Sequence, residues 1–543
     1  MSMDNNDFKV LLNKAMPNGG NYTVSIECPK CANPNDMDTL YNITFGDVFY
    51  CAGQSNMELD MHFTFSRNDT YDAIRNGKYQ NIRYMTMYEI DTSNITFVVP
   101  PITNPANQWN FPPNNNSLDK FSAACWYFAQ SLVDDYQMTD TQIGLIDTSV
   151  GGTMIEQWTQ NQTIQLFCKE SKCPDPSCGG LYNGLVAPYL NMTVKSFLWY
   201  QGENNVYEEP GSWLNFTGYG CMQPFMLRQW RSDWSVVPNT TAPDTPFGLV
   251  TLAAGTDEGH GTNMAPFRWA QMGNYDYLPN PVLPDQQFEG MTNAFAALAH
   301  DLGDPWNKQC FYLQPPTCQG DAPYSWNKTN YFMGPIHPRD KLPVGQRLAK
   351  SGYPILYGNM ANNIQNQVNI GPVINGCKLD NSSKTITISF NSTFMESGDS
   401  IMIKPFVAWY NTSINYTNIM DWTAIEVEIN RVWYFAQLIK EGGDGKSIIV
   451  DLTTVNNGTI DINKINGVRY AWSTYPCCGN LNREYNPCPP DSCPILAGNS
   501  KNNVTLPAVP FWASINMTTG ICECFTPQTC TAFASSAIKA SNY

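Results

Sequence analysis

Four short segments combine residue types that carry out acyl-transfer chemistry. The first is Gly46-Asp-Val-Phe-Tyr-Cys-Ala-Gly-Gln-Ser-Asn-Met57. An apolar strand runs into Gly53-Gln54-Ser55-Asn56, the setting a nucleophilic serine requires. A tight turn exposes the hydroxyl, and a following helix points N–H groups at a developing oxyanion. An ordinary strand-to-helix turn with Ser55 as N-cap fits the same residues. The segment is not a G-x-S-x-G elbow, so the α/β-hydrolase pattern does not apply. The second segment, Gly144 to Trp158, ends a strand in Gly151-Gly152. Paired glycines let backbone approach a ligand, and an oxyanion-hole N–H and a plain turn are both open readings. The third, Phe197 to Asn205, delivers Gln201, Glu203 and Asn204 at a strand end. The Gln201 amide is a candidate oxyanion donor. Glu203 and Asn204 are candidates for substrate contact or for bracing the loop. The fourth, Gly334-Pro-Ile-His-Pro-Arg-Asp-Lys341, sets His337 in a loop before a helical stretch. A capping or surface role is its alternative. His62, His260 and His300 complete the four histidines and are less well placed.

The elements that must position these residues follow from their flanks. Short β-rich runs recur at Asp47 to Tyr50, Ile143 to Ile146, Val194 to Tyr200, Phe247 to Leu252 and Ala294 to Leu298. Each leads into a Gly-rich or polar loop, and Phe121 to Leu132 reads as a helix packed on a sheet. This alternation predicts a parallel sheet in a three-layer α/β core, with ligands at the carboxyl ends of its strands. From about residue 361, alternation dominates, as in Thr385 to Phe390 and Ser447 to Leu452, which predicts an accessory β-sandwich. The expected division is a partial β-region at 1–45, the α/β core at 46–360 and a β-rich, disulfide-stapled domain at 361–543. Tyr22 to Ile26 reads as a strand of the first.

Composition narrows the class. Hydrophobic residues make up 42% and charged residues 14%, enough to fill a large core. With 31 basic against 47 acidic residues, the net charge is −16 and no basic cluster stands out, which argues against nucleic acid as a partner. Eighteen cysteines with only four histidines favour disulfides over zinc, whose ligand spacing would need a second partner for Cys28-x-x-Cys31. Asn-x-Ser/Thr triplets recur, among them those at Asn68, Asn161 and Asn381. Together these predict a secreted or lysosomal glycoprotein. Met1 to Asn6 shows neither a basic nor an apolar signal region, so a signal peptide is expected to lie outside this sequence. A cytosolic chain with reduced thiols is the alternative. No run of about 18 apolar residues predicts a membrane span.

GDVFYCAGQSNMELDM, LIDTSVGGTMIEQW, FLWYQGENN and GPIHPRDK, in that order, resemble the blocks of the sialate O-acetylesterase family within the SGNH-hydrolase superfamily. VRYAWSTYPC (468–477) and LPAVPFWASI (506–515) resemble the end of its eukaryotic, 9-O-acetylesterase-type members. The resemblance implies an SGNH-type α/β core. It implies Ser55 as nucleophile, His337 as general base, and an oxyanion hole of the Ser55 N–H, that of Gly151 or Gly152, and the Gln201 side chain. It implies no metal and no cofactor, an O-acetylated sialic acid as substrate, and an acetyl-enzyme intermediate. Another acetylated carbohydrate is the alternative substrate, and a non-catalytic carbohydrate-binding glycoprotein the alternative class. Metal-dependent deacetylation would need a His/Asp cluster that the sequence does not offer. The sequence departs from the superfamily where an Asp normally stands three residues before the His: that position is Gly334. Asp301 and Asp304 are the candidate acids. A sialate carboxylate calls for a cation near Ser55; Arg268 is the candidate, with Trp269 to stack on the sugar, against a structural Arg opening a helix. Oligomeric state is not legible.

Overall fold

A computed structural model describes residues 2–4, 7–9, 18–27, 37–86, 109–110, 115–167, 178–190, 192–207, 219–238, 240–254, 264–272, 293–303, 336–358, 369–404, 424–472, 493–499 and 502–524. Asp304, Gly334 and His260 lie outside the described residues, as do Cys28 and Cys31.

Among the described residues, six strands form one parallel sheet: β1 (Asp47–Gly53), β2 (Ile82–Thr86), β3 (Ile143–Asp147), β4 (Ser196–Tyr200), β5 (Phe247–Val250) and β6 (Ala294–Ala297). Their spatial order is β6-β5-β4-β1-β3-β2, every neighbour pair parallel. The inner strands are apolar without alternation because helices cover both faces. Five of the strands fall where the sequence predicts them. The exception is β2, which pairs with β3, bridges through Tyr84 to Asn110, and carries Arg83, whose guanidinium donates to the Asn42 carbonyl at 2.7 Å. A short edge strand with a charged residue leaves a weak apolar signal.

The predicted helix is α2 (Ala123–Asp134), buried from Ala123 to Val133. It is covered by α6 (Leu342–Tyr357), the helix that follows His337. Two glycines permit this layering. A Cβ on Gly345 would lie 2.4 Å from the Tyr127 carbonyl carbon and 2.6 Å from the Phe128 nitrogen, and one on Gly352 would lie 2.6 Å from the Phe295 ring of β6. A disulfide between Cys51 and Cys125 joins β1 to α2.

Beyond residue 370 the strands are antiparallel. Sheets built on Val373–Asp380, Thr385–Asn391 and Ser447–Asp451, on Ile425–Ile429, Ile465–Tyr470 and Phe511–Ile515, and on Ser400–Ile403 with Ile495–Asn499 share one apolar core that includes Ile388, Val450, Val468 and Phe511. Cys377–Cys522 ties the first to the second. Lys350 of α6 reaches across to this part of the chain. Its ammonium donates to the Val504 carbonyl at 2.9 Å and pairs with Glu396 and Asp399. At the other end of the chain, Gly19–Glu27 and Met37–Phe45 form an antiparallel hairpin.

Gly345→Ala should destabilise the protein by about 1–3 kcal/mol, since the new methyl strikes backbone rather than a side chain that can swing away. The gain in helix propensity, about 1 kcal/mol, is too small to offset it. The check is the midpoint of urea unfolding; an unchanged midpoint would mean that α2 and α6 separate freely.

Candidate active site

The sheet order places a topological switch at β1. The chain leaves β1 toward β2 on one side, returns through β3, and crosses to β4 on the other. A crevice opens at the carboxyl end of such a strand. Three of the four segments converge there, and the fourth arrives from the loop before α6.

Gly53 makes the turn possible. Its φ is +142°, and a Cβ there would meet the Tyr200 carbonyl oxygen at 2.1 Å. The Gln54 N–H donates to that carbonyl at 3.0 Å, and the Val150 N–H donates to the Gly53 carbonyl at 3.0 Å. So the end of β1 is held from both neighbouring strands. The chain then turns into the short helix α1 (Ser55–Glu58). Met57 and Glu58 N–H groups share the Gln54 carbonyl. The Ser55 N–H belongs to the first turn, which has no intrahelical acceptor to offer it.

Ser55 is half-buried, and its Oγ lies 2.8 Å from His337 Nε2. With Nδ1 protonated, Nε2 accepts the serine proton. Gly151 stands beside the pair: a Cβ there would lie 3.7 Å from the Ser55 Cβ. Asn204 Nδ2 donates to the Gly152 carbonyl at 2.8 Å, so Asn204 braces the glycine turn. Glu203 is fully buried, and its Oε1 accepts from Asn56 at 2.5 Å. Burial pushes its carboxyl up, against the opposing pull of Asn56 and Lys341. Both residues therefore take the bracing role among the readings open in the sequence.

The expectation for Gln201 needs correction. The residue is fully buried. Its Nε2 has three acceptors at hand: Gln54 Oε1 at 2.9 Å, the Thr153 carbonyl at 3.0 Å and Asn205 Oδ1 at 2.7 Å. Its Oε1 accepts from the Tyr219 hydroxyl at 2.6 Å. An amide with two hydrogens and three neighbouring acceptors has none to spare for an oxyanion. The free donor belongs to Gln54. Its Oε1 is held by Gln201 and by the Gly202 and Asn204 N–H groups, which turns its Nε2 toward Ser55 Oγ, 3.5 Å away. That is long for a bond to the hydroxyl itself, but the amide faces the side on which a carbonyl bonded to Oγ would develop charge. Nothing in the sequence favours Gln54 over Gln201 except adjacency to Ser55.

Two further expectations do not fit the geometry. Arg268 lies in α5 (Met264–Gln271) and is 1% exposed. It donates to the Leu252 carbonyl at 2.9 Å and the Ala253 carbonyl at 2.8 Å, capping the end of β5. Burial pulls its guanidinium down. It cannot receive a substrate carboxylate without leaving the core. Trp269 is 2% exposed and offers no open ring face to a sugar. Asp301 spends both carboxylate oxygens on Arg347 of α6, at 2.6 and 2.7 Å. A buried bidentate pair of this kind is not available to orient an imidazole. His300 beside it is fully buried, and burial with the nearby Arg268 and Arg347 drives its pKa far down.

Asp147 ends β3 nearly buried, its Oδ1 accepting from the Ser149 N–H at 3.0 Å and hydroxyl at 2.5 Å. Burial outweighs those bonds and raises its pKa to about 7, with Glu58 adding to the rise. Burial likewise lifts Asp60 to about 7, reinforced by Asp147 and Glu58. Between about pH 4 and 7 the folded state thus holds protons on these two carboxyls that the unfolded state has released, so their contribution to stability falls as pH rises through that window and levels above it. Asp147→Asn should flatten this slope. Unfolding midpoints in urea at pH 4.5 and 7.5 should differ less for the variant than for the wild type; equal differences would remove Asp147 from the pH dependence.

Residues 45–233 match the family described as carbohydrate esterase, sialic acid-specific acetylesterase. Sialate O-acetylesterase of Homo sapiens is 30% identical over 333 residues, 59% of this chain and 55% of its own length. That of Rattus norvegicus is 26% identical over 521 residues, 88% of this chain and 79% of its own length. The chain thus spans little more than half of the human relative. The crystal structure of a carbohydrate acetylesterase from Xanthomonas citri aligns with a TM-score of 0.56 and 18% identity, covering 88% of this chain and 82% of that one. This last likeness concerns the fold. In motifs and in sequence the chain is similar to the sialate O-acetylesterases, and its residues 45–233 match the sialic acid-specific acetylesterase family of carbohydrate esterases.

Proposed function

We propose that the chain is a serine esterase that removes O-acetyl groups from sialic acids. The observation that carries the esterase reading is the 2.8 Å contact between Ser55 Oγ and His337 Nε2 at the switch point of a parallel sheet. His337 takes the Ser55 proton as Oγ attacks the acetyl carbonyl carbon. The carbonyl oxygen becomes an oxyanion, received by the N–H groups of Ser55 and of Gly151 or Gly152 and by the Gln54 amide. The C–O bond to the sugar breaks, and His337 returns the proton to the departing sugar oxygen. Water, deprotonated by His337, then cleaves the acetyl-enzyme, and acetate leaves with Ser55 restored. Every proton in this cycle moves through His337, so no metal or organic cofactor is called upon.

The sialate part of the proposal is supported by the likeness to sialate O-acetylesterases. A second reading, hydrolysis of acetyl groups on neutral carbohydrates, is favoured by the burial of Arg268, which removes the cation expected to meet a sialate carboxylate. We also propose that the protein works in an oxidising, secretory or lysosomal compartment. The disulfides Cys51–Cys125 and Cys377–Cys522 and the solvent-facing Asn68, Asn161 and Asn381, each heading a glycosylation triplet, support that reading.

Ser55→Ala and His337→Ala should each lower hydrolysis of a small acetyl ester by roughly 10⁴-fold or more, because the two act as a unit. Wild-type activity in either variant would remove that residue from the mechanism. Gln54→Ala should lower kcat by about 10²–10³-fold with KM little changed, as loss of one oxyanion donor does elsewhere. A normal kcat for Gln54→Ala would return the oxyanion to the backbone N–H groups alone. Acetate release from a panel of O-acetyl sialic acids and acetylated glucans decides the substrate: faster release from the sialic acids is expected, and the reverse order would select the second reading.

A further inference from the structure

Asn56 follows the serine and is fully buried. Every polar atom of its side chain is engaged. Its Nδ2 donates to Glu203 Oε1 at 2.5 Å and to the Ile336 carbonyl at 2.7 Å, and its Oδ1 accepts from the Lys341 ammonium. Glu203 and Lys341 are themselves fully buried, and the ammonium lies 4.9 Å from the centroid of the Tyr200 ring of β4.

The arrangement has a mechanical consequence. Ile336 immediately precedes His337 in the chain, and Asn56 immediately follows Ser55. The Asn56–Ile336 hydrogen bond is therefore a rung one residue away from the Ser55–His337 contact, joining the same two segments. Glu203 and Lys341 hold the two ends of the Asn56 amide. A carboxylate takes the nitrogen and an ammonium takes the oxygen, so the amide has one orientation and cannot flip. Lys341 lies at the far end of the His337 loop, at the start of α6, and closes it from that side. The amide thus bridges a buried carboxylate and a buried ammonium, giving Glu203 Oε1 a donor and the ammonium an acceptor, which lowers the cost of burying both.

We infer that Asn56 is a positioning residue of the site, clamping the loop that carries His337 to the helix that carries Ser55, with Glu203 and Lys341 fixing the clamp. The inference rests on the Ser55–His337 reading given above. A base displaced by about 1 Å from its productive position costs on the order of 10²-fold in rate. Asn56 is fully buried with its side chain engaged, so its loss should appear in kcat and spare KM for a small ester.

The test is a double-mutant cycle read by acetate release from a small acetyl ester, with melting curves on each variant. Asn56→Ala should melt cooperatively and lower kcat by roughly 10- to 100-fold with KM within about threefold. In the His337→Ala background the same substitution should change the residual rate by less than about threefold, because the residue it positions is gone. Equal losses in both backgrounds would overturn the clamp and place Asn56 in the fold or on the oxyanion side. Normal kcat in Asn56→Ala beside inactive Ser55→Ala and His337→Ala would also overturn it while leaving the esterase reading intact. Full activity in Ser55→Ala and His337→Ala would instead strike the reading beneath it. Asn56→Asp keeps the shape and the acceptor for Lys341 but lacks the amide donors, and it carries the same cycle if the Ala variant does not fold.

Discussion

The end of β1 is pinned between two parallel neighbours by backbone hydrogen bonds, Gln54 N–H to the Tyr200 carbonyl on one side and Val150 N–H to the Gly53 carbonyl on the other. Most of the site hangs on this seam. It forces the strand to stop where only a glycine fits, and it starts a helix at Ser55. It also brings the loops after β3 and β4 within side-chain reach of the serine. A sheet whose order reverses at β1 leaves its crevice there and nowhere else along that edge.

Around the seam the structure is a problem of satisfying amides out of water. Gln54, Asn56, Gln201 and Asn205 are all buried, and each leaves little donor or acceptor capacity unused. Asn205 shows the economy. Its Oδ1 accepts from the Ile155 N–H and from Gln201, and its Nδ2 donates to Glu156. Leaving such a group unpaired in a low-dielectric interior is costly, so the network settles into one arrangement. That single arrangement leaves one side-chain amide, that of Gln54, turned toward the serine hydroxyl.

The segment that carries His337 is held by a different kind of interaction. The α6 helix after His337 is anchored by buried charge. Arg347 pairs bidentately with Asp301 and donates to the Leu298 carbonyl at 2.6 Å, and Lys350 reaches Val504, Glu396 and Asp399. Removing one partner from such a pair typically costs about 3–5 kcal/mol, because the other charge is stranded. The antiparallel part of the chain is thus braced against the helix that begins five residues after His337. The carboxylate that resembled a third catalytic member is instead part of this brace.

The local pattern of the chain was enough to read the parallel sheet, the α2 helix, the antiparallel region, and the Ser55 and His337 segments. Each of these rests on information within a few residues: uniform apolar runs, a glycine before a serine, a histidine in a loop before a helix. The packing partners of polar side chains are not encoded at that range. Gln54 and Gln201 are the same residue type at the ends of adjacent strands. Which of them faces the serine depends on Tyr219, Thr153 and Asn205, brought in from elsewhere in the chain. Arg268 and Asp301 looked suited to a substrate carboxylate and an imidazole, and the fold gives them the carbonyls at the end of β5 and the guanidinium of Arg347. The Asn56 rung joins positions 280 residues apart in sequence, so only the fold can make it. The sequence determined most of the elements that form and where the candidate nucleophile Ser55 and the candidate base His337 stand along them. The tertiary structure decided which partners Gln201, Arg268 and Asp301 take, because a buried polar group is costly unless it finds one.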